Sequence, residues 1–270
     1  MVKKRLLPNL FHARIIFMKK QINWKLFFIL LGLSLISIVC VFPYIVSVQG
    51  DLLSKAGVSI GFIFFAQFVQ CIVLFSIAIF FGLFLAKRTG FQLPLLEEIL
   101  RKGNYKKILK DILLKSVVSG VVVALVIYGL DILFTFSGTG ITTHQNLAPV
   151  WQTLLASFYG GITEEVLMRL FLMTLFTWIG MKLFRQKEPS KMGVIIAILL
   201  AAIIFGLGHL PITASLVKIT PLVIGRAIVL NGIGGIVFGW LYWKKGLESA
   251  IIAHFTTDIF LLTLLPLIIR

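Results

Sequence analysis

The chain has 270 residues, of which 59% are hydrophobic and only 13% are charged, and its mean hydropathy is +1.03. Soluble domains are about 45–50% apolar and about 25% charged, so this composition excludes a soluble protein. A net charge of +16 and a pI near 10.1 would suggest nucleic-acid binding in a soluble chain. Here the basic residues cluster between apolar runs, which indicates loops facing an anionic lipid bilayer, and no nucleic-acid partner is expected.

The N-terminal segment, residues 1–25, is strongly basic and precedes a long apolar run. That run, Leu26–Val48, is longer than the about 7–15 apolar residues of a cleaved signal peptide, and it ends without a small-residue cleavage site. We therefore expect a retained first span preceded by a cytoplasmic segment. Met18 is a second potential start, so residues 1–17 are a candidate for a dispensable extension.

Seven apolar runs are long enough to cross a bilayer, which takes about 20 helical residues. They are Leu26–Val48, Val58–Ala86, Ile112–Phe136, Val150–Phe184, Val194–Gly208, Leu222–Trp243 and Leu247–Ile269. The fourth run would become two spans if its helix broke at Gly160-Gly161. The expected fold class is therefore all-α, a polytopic transmembrane helical bundle with about seven or eight spans.

The distribution of lysine and arginine predicts the orientation. Basic residues cluster in the loops from Lys87 to Lys110 and from Lys182 to Lys191, and at Lys244 and Lys245. The loops near Asp51 and at 138–149 carry little charge. This alternation places the N-terminus in the cytoplasm of a multi-pass cell-membrane protein. Residues 91–111 are interpreted as an amphipathic connector rather than as a helix lying on the membrane surface.

Two adjacent glutamates interrupt the fourth run. A carboxylate in hydrocarbon costs several kcal/mol or more unless it is paired, solvated or bound to metal, so it marks a functional site by default. On a helix, Glu165 and Arg169 share a face, which predicts an internal ion pair. Glu164 points about 100° away from Glu165 and is free to face a cavity. The alternative is a purely structural charge cluster.

Two histidines lie in later apolar segments. His209 follows a Gly-Leu-Gly sequence that admits close packing and water. His254 and Asp258 are four apart, so the carboxylate is expected to orient the imidazole. Taken singly, His209 is better explained as a structural histidine at a helix end, and the His254–Asp258 pair is equally well explained as structural. Together, Glu164, His209 and His254 are a known ligand set for catalytic Zn²⁺, and they also supply a base and electrostatic stabilisation for hydrolysis.

Straight helices would not bring these groups together. With seven straight spans, Glu164 and His209 would lie nearer the outer face of the membrane, and His254 would lie nearer the inner face. We expect a broken, tilted or re-entrant helix at Gly160-Gly161 or near Gly206 and Gly208. Neither a His-Glu-x-x-His nor a Gly-x-Ser-x-Gly motif occurs in the sequence, which disfavours an ordinary zincin and a rhomboid-like serine mechanism.

Three motifs follow one another in the second half of the chain. They are Glu164-Glu165-x-x-x-Arg169, Phe205-x-x-x-His209, and a segment from Gly246 to Asp258 that contains His254. Over about residues 147–265 they resemble the CAAX protease and bacteriocin-processing (CPBP, or Abi) family of intramembrane proteases. The resemblance implies N-terminal transmembrane helices in residues 26–146 and a catalytic core in residues 147–270.

The resemblance also implies roles for the site residues. Glu164 would activate water with help from His209, while His254 and Asp258 would stabilise the oxyanion or complete the site. Eukaryotic CAAX enzymes have Asn at the position of Asp258. An ionised carboxylate cannot donate to an oxyanion, so Asp258 is expected to orient His254 or to help hold a metal.

We expect an intramembrane endopeptidase that hydrolyses peptide bonds with a water molecule activated by Glu and His. Zinc is a candidate cofactor. Its substrate would be a peptide or protein with a membrane-proximal cleavage site. The composition favours a bacterial plasma membrane, and hence leader or signalling peptides over prenylated proteins. One alternative is a small transporter with a Glu/His/Asp proton relay, although no internal repeat is visible. Another is a non-catalytic immunity protein. Asp131 and Arg226 are expected to pair or to line the cavity.

Overall fold

Helices alone build the part of the chain that the structure describes. The computed structural model describes residues 22–55, 57–139 and 148–268, and no strand occurs in these ranges. The elements are α1 (Trp24–Ser54), α2 (Ile60–Thr89), α3 (Pro94–Leu100), α4 (Tyr105–Phe136), α5 (Val150–Phe158), π1 (Tyr159–Glu164), π2 (Val166–Met173), α6 (Thr174–Leu183), α7 (Lys191–Gly208), α8 (Leu210–Ala214), α9 (Pro221–Lys245), α10 (Leu247–Asp258), π3 (Ile259–Leu264) and α11 (Leu265–Ile268).

Among the described residues, seven helical stretches are long and apolar enough to cross a membrane. They are Trp24–Gly50, Ile60–Thr89, Tyr105–Phe136, Val150–Leu183, Lys191–Ala214, Pro221–Lys245 and Leu247–Ile268. The expected all-α polytopic bundle is confirmed. Most of the basic segment 1–25 and the loop 140–147 lie outside the described residues.

The fourth span is continuous, so no break occurs at Gly160-Gly161, the first of the two places considered. An interruption does follow Gly208, the second place, because α7 ends there and α8 begins at Leu210 after His209. The helix runs from Val150 to Leu183 and widens into π-helical turns on both sides of Glu165. A π-helical turn accommodates an extra residue without breaking the chain of backbone hydrogen bonds, and such turns are frequent at functional sites. A Cβ on Gly161 would lie 2.8 Å from Phe255 Cβ, so the glycine allows α10 to approach closely.

The third span begins one and a half to two turns earlier than the hydropathy predicted. Helix α4 starts at Tyr105, where Asn104 caps it by accepting a hydrogen bond from the Lys107 amide at 3.3 Å. The preceding connector contains the short helix α3, which begins at Pro94. The sequence had favoured a plain connector over a helix in this segment. The side-chain cap of Asn104 marks the start of α4 and the proline at the first position marks the start of α3, and apolar periodicity reveals neither.

The start of the last span is fixed by contacts with α3. Gly246 adopts a φ of 96°, and a Cβ at this position would collide with the Pro94 ring. The Leu247 amide donates to the Gln92 carbonyl at 3.2 Å, and Glu248 Oε1 accepts from the Leu96 amide at 2.8 Å. These bonds anchor α10 about two turns before the candidate site residue on it.

Small residues bring the site-bearing helices close together. A Cβ on Gly235 of α9 would lie 2.8 Å from Ala202 Cβ of α7, and one on Gly206 would lie 2.6 Å from Ile228 Cα. On the other side of α10, Gly120 of α4 leaves no room for a Cβ beside the Ala253 carbonyl. Backbone approach of this kind is how helices associate in lipid, where the hydrophobic effect does not drive them together.

This packing yields a paired prediction. Gly235→Ala should lower the free energy of unfolding by about 1–3 kcal/mol, because α7 and α9 must separate to admit the new methyl group. Gly232→Ala, three residues earlier on α9, is the control, since nothing lies within 4 Å of its added Cβ. Thermal unfolding in detergent measures both. Equal loss of stability in the two variants would contradict the proposed contact.

Candidate active site

The fourth span turns its two adjacent glutamates in different directions. Glu165 is fully buried, with 0% of its side chain exposed, whereas the side chain of Glu164 is 21% exposed. Both residues sit at the junction of π1 and π2, where the helix is widened. One carboxylate therefore faces the protein interior, and the other faces a cavity.

Glu165 Oε1 has two partners from different spans. Arg169 Nη1 lies 3.0 Å from it, and the guanidinium is only 2% exposed. His254 Nδ1–H donates to the same oxygen at 2.7 Å. The ion pair expected from the four-residue spacing is thus present, and a histidine from the last span joins it. Hydrogen bonds to ionised groups are among the strongest in proteins, so this cluster ties the fourth and seventh spans together.

Aromatic rings enclose the buried charges. The Arg169 guanidinium carbon lies 5.0 Å from the centre of the Phe205 ring and 5.4 Å from that of Phe238. The Phe238 ring also stacks on His254 at 4.6 Å between ring centres. A cation over an aromatic face is favourable, and the stacking fixes the plane of the imidazole. Nothing in the sequence motifs predicted the position of Phe238.

His254 directs its second nitrogen towards two further carboxylates. Its Nε2 lies 3.7 Å from Glu164 Oε2 and 3.6 Å from Asp258 Oδ1. Both separations are too long for direct hydrogen bonds. Glu165 therefore orients the imidazole through Nδ1, rather than Asp258 as the sequence suggested, and Asp258 faces the reactive side of the ring.

Gly160 makes room for Asp258. A Cβ at Gly160 would overlap Asp258 Oδ2 and come within 3.2 Å of His254 Nε2. Sequence reasoning treated this glycine as a helix breaker, but its role in the structure is close contact with a carboxylate.

His209 follows the end of α7 and is held by its own helix. Its Nδ1–H donates to the Phe205 carbonyl at 2.8 Å, because a carbonyl oxygen can only accept. The Phe205 ring contacts His209 edge-on, with 4.8 Å between ring centres. In the neutral imidazole the lone pair is then on Nε2. The same tautomer holds for neutral His254, whose Nδ1 proton is donated to Glu165.

A cavity of about 340 Å³ brings the candidate residues together. Glu164, His209, His254 and Asp258 all line it, so the groups that straight helices would separate share one space. Most of the remaining wall is apolar or aromatic, including Val41, Tyr44, Ile127, Tyr159, Ile212, Leu230, Leu261 and Leu262. A hydrolytic site needs such a space, lined by a base and by groups that bind developing charge.

Within the described ranges, no group of three or more His, Cys, Asp or Glu side chains is placed to hold a metal ion. Glu164 and His254 face each other at 3.7 Å, and His209 joins them only as a wall of the shared cavity. The zinc ligation by Glu164, His209 and His254 stays a prediction.

Arg226 and Asp131 form a second ion pair beside the cavity. Arg226 Nη2 and Nε lie 2.5 and 2.7 Å from Asp131 Oδ1, and Asp131 is completely buried. Arg226 also lines the cavity. The sequence predicted that Asp131 and Arg226 pair or line the cavity, and Arg226 does both.

The fold and site define a polytopic helical membrane protein with a carboxylate–histidine centre inside the bundle. Residues 146–260 match the family described as Type II CAAX prenyl endopeptidase Rce1-like. The resemblance read from the three motifs is thereby confirmed over these residues, and the family is one of CAAX-type intramembrane endopeptidases. No match was found among curated proteins or solved structures.

Removal of the buried arginine should cost stability. Arg169→Ala deprives Glu165 of its cation in a low-dielectric interior, and breaking a buried pair costs about 3–5 kcal/mol. The control is Arg101→Ala, which removes an exposed Arg101–Glu97 contact of 3.8 Å and should cost about 1 kcal/mol or less. Thermal unfolding in detergent and folded yield measure the difference. Equal stability of the Arg169 variant and the parent would show that the pair is not buried.

Gly160→Ala should impair the site without unfolding the span. Its methyl group displaces Asp258 and crowds His254 Nε2, and a shift of about 1 Å in a reacting group can cost about 10²-fold in rate. Gly180→Ala is the control in the same span, since nothing lies within 4 Å of its added Cβ. Peptide hydrolysis and thermal unfolding of both variants test this. Unchanged turnover in the Gly160 variant would contradict the contact with Asp258.

Proposed function

We propose that the protein hydrolyses peptide bonds within or beside the bilayer, using a water molecule activated by Glu164. The observation that carries this proposal is the shared cavity, which is lined by the partly accessible carboxylates of Glu164 and Asp258 and by two histidines. The Nδ1 hydrogen bond of each histidine fixes the tautomer of its neutral ring. The family match supports the same reaction class.

The proposed first step is attack on the scissile carbonyl. Glu164 removes a proton from water while His209 Nε2 accepts a hydrogen bond from the second water hydrogen. The water oxygen bonds to the carbonyl carbon, and the carbonyl π electrons move to oxygen. Glu164 then returns the proton to the amide nitrogen as the carbon–nitrogen bond breaks, which releases an amine and a carboxylic acid.

The oxyanion formed in the first step needs a donor. In the imidazolium form, His254 presents Nε2–H to the cavity, and its positive charge is compensated by Glu165, Glu164 and Asp258. A preoriented donor of this kind acts where charge develops in the transition state. Asp258 compensates the charge of His254 in this scheme and does not bind the oxyanion, because an ionised carboxylate cannot itself donate a hydrogen bond.

Replacement of the proposed base provides the direct test. Glu164→Gln preserves size and removes the proton acceptor, so hydrolysis should fall by about 10²–10⁴-fold while the protein still inserts and folds. Glu97→Gln, which alters an exposed acid distant from the cavity, is the control. A panel of membrane peptides is incubated with purified protein, and products are identified by mass spectrometry. Near-parental turnover in the Glu164 variant would overturn the proposal, and absence of products with every protein would favour a transporter or immunity protein.

The same preparations test the zinc prediction. After washing with chelator, zinc is measured by elemental analysis beside activity. About one equivalent of zinc that is lost in His209→Ala and His254→Ala would support ligation by these residues. Full activity with less than about a tenth of an equivalent would leave a glutamate-activated water without metal.

A further inference from the structure

The two ends of the bundle differ in charge. Because the seven spans alternate in direction, Trp24, Thr89, Tyr105, Leu183, Lys191, Lys245 and Leu247 lie at one end. The lysines and arginines of that end and its adjoining helical turns are Lys25, Lys87, Arg88, Arg101, Lys102, Lys106, Lys107, Lys110, Lys115, Lys182, Arg185, Lys187, Lys191, Lys244 and Lys245. We call this the basic end. At the opposite, neutral end, Lys55 and Lys218 are the only basic residues in the described loops between spans.

Much of the cavity wall lies in the neutral half of the bundle. Ile212 and Thr213 of its wall lie in α8, directly before the loop that contains Lys218. Arg226 lies within the first two turns of α9, whose start at Pro221 is at the same end. Leu262 lies in π3, near the C-terminal end of the last span. Several spans thus contribute cavity-lining residues near the neutral end.

The opposite side of the cavity is closed by packed side chains. Phe205, Phe238 and Arg169 are buried and contact one another beneath the histidines. Further towards the basic end, Tyr242 and Thr174 hydrogen-bond at 3.1 Å between α9 and α6. A substrate arriving from the basic end would have to displace this core, which is costly because protein interiors are densely packed.

We propose that the cavity opens to the extracytoplasmic face and receives its polypeptide substrate from that side. This inference rests on the proposed function. Lysine and arginine are retained in cytoplasmic loops, so the basic end faces the cytoplasm and the neutral end faces outwards. The substrate class is an exported or membrane-anchored polypeptide whose apolar residues fit the aliphatic and aromatic wall. A cytosolic protein tail would meet the closed, basic side.

Cysteine accessibility tests the inference independently of catalysis. Cys40 and Cys71 are the free cysteines of the chain and are replaced by alanine first. Single cysteines are then introduced as Thr213→Cys in the cavity wall, Lys218→Cys at the neutral end and Lys187→Cys at the basic end. Ile212→Cys is a second cavity position in case Thr213→Cys does not fold, because the Thr213 hydroxyl donates to the His209 carbonyl. Intact cells are treated with a membrane-impermeant maleimide before and after permeabilisation.

The inference predicts labelling of the cavity and Lys218 positions in intact cells, and of the Lys187 position only after permeabilisation. Labelling of Lys187→Cys but not Lys218→Cys in intact cells would overturn the orientation. A cavity cysteine that reacts only after permeabilisation, or only after denaturation, would overturn the outward opening. These outcomes do not depend on turnover, so they remain informative if the Glu164 experiment contradicts the proposed hydrolysis.

Discussion

The buried carboxylate of Glu165 is the constraint on which the site depends. An ionised group without a partner is too costly in the interior of a membrane bundle, and Glu165 Oε1 is paired with Arg169 on its own helix and with His254 on the last span. These contacts fix the rotation of the fourth span about its axis, which leaves Glu164 facing the cavity. They also fix the imidazole of His254, which leaves its Nε2 facing Glu164 and Asp258. Glu165 thus supports the chemistry without facing the cavity.

Backbone geometry explains how neighbouring residues take opposite roles. The π-helical turns on either side of Glu165 widen the helix without interrupting it, so the span carries a polar site and still satisfies its backbone groups in lipid. Gly160 and Gly161 then admit Asp258 and the α10 backbone against the widened turn. A straight helix with side chains at these two positions would hold α10 away, and the histidine could not reach Glu165.

The sequence predicts structure correctly where the pattern of apolar or charged residues that determines it lies within a single helix. The apolar runs identified all seven spans, and the four-residue spacing identified the Glu165–Arg169 pair. Prediction from the sequence failed where another helix or a local cap decides the outcome. The hydrogen bond from His254 to Glu165 and the stacking on Phe238 join residues far apart in the chain. The early start of α4 depends on the cap formed by Asn104, which an average of hydropathy along the chain does not detect. The four-residue spacing placed Asp258 near His254 but could not tell which ring nitrogen it faces, and in the structure it lies 3.6 Å from Nε2.

Resemblance to a family specifies the reaction more closely than the substrate, because a fold can serve many substrates through changes around one centre. In this protein the centre is built from the fourth, fifth and seventh spans, whereas α1, α4 and α9 contribute other parts of the cavity wall. The chemistry and the access route are therefore carried by partly different helices. Substitutions in the wall can redirect the opening or change the side chains accommodated while Glu165, Arg169 and His254 keep their geometry. The end of the bundle at which the cavity opens then decides which polypeptides can reach Glu164.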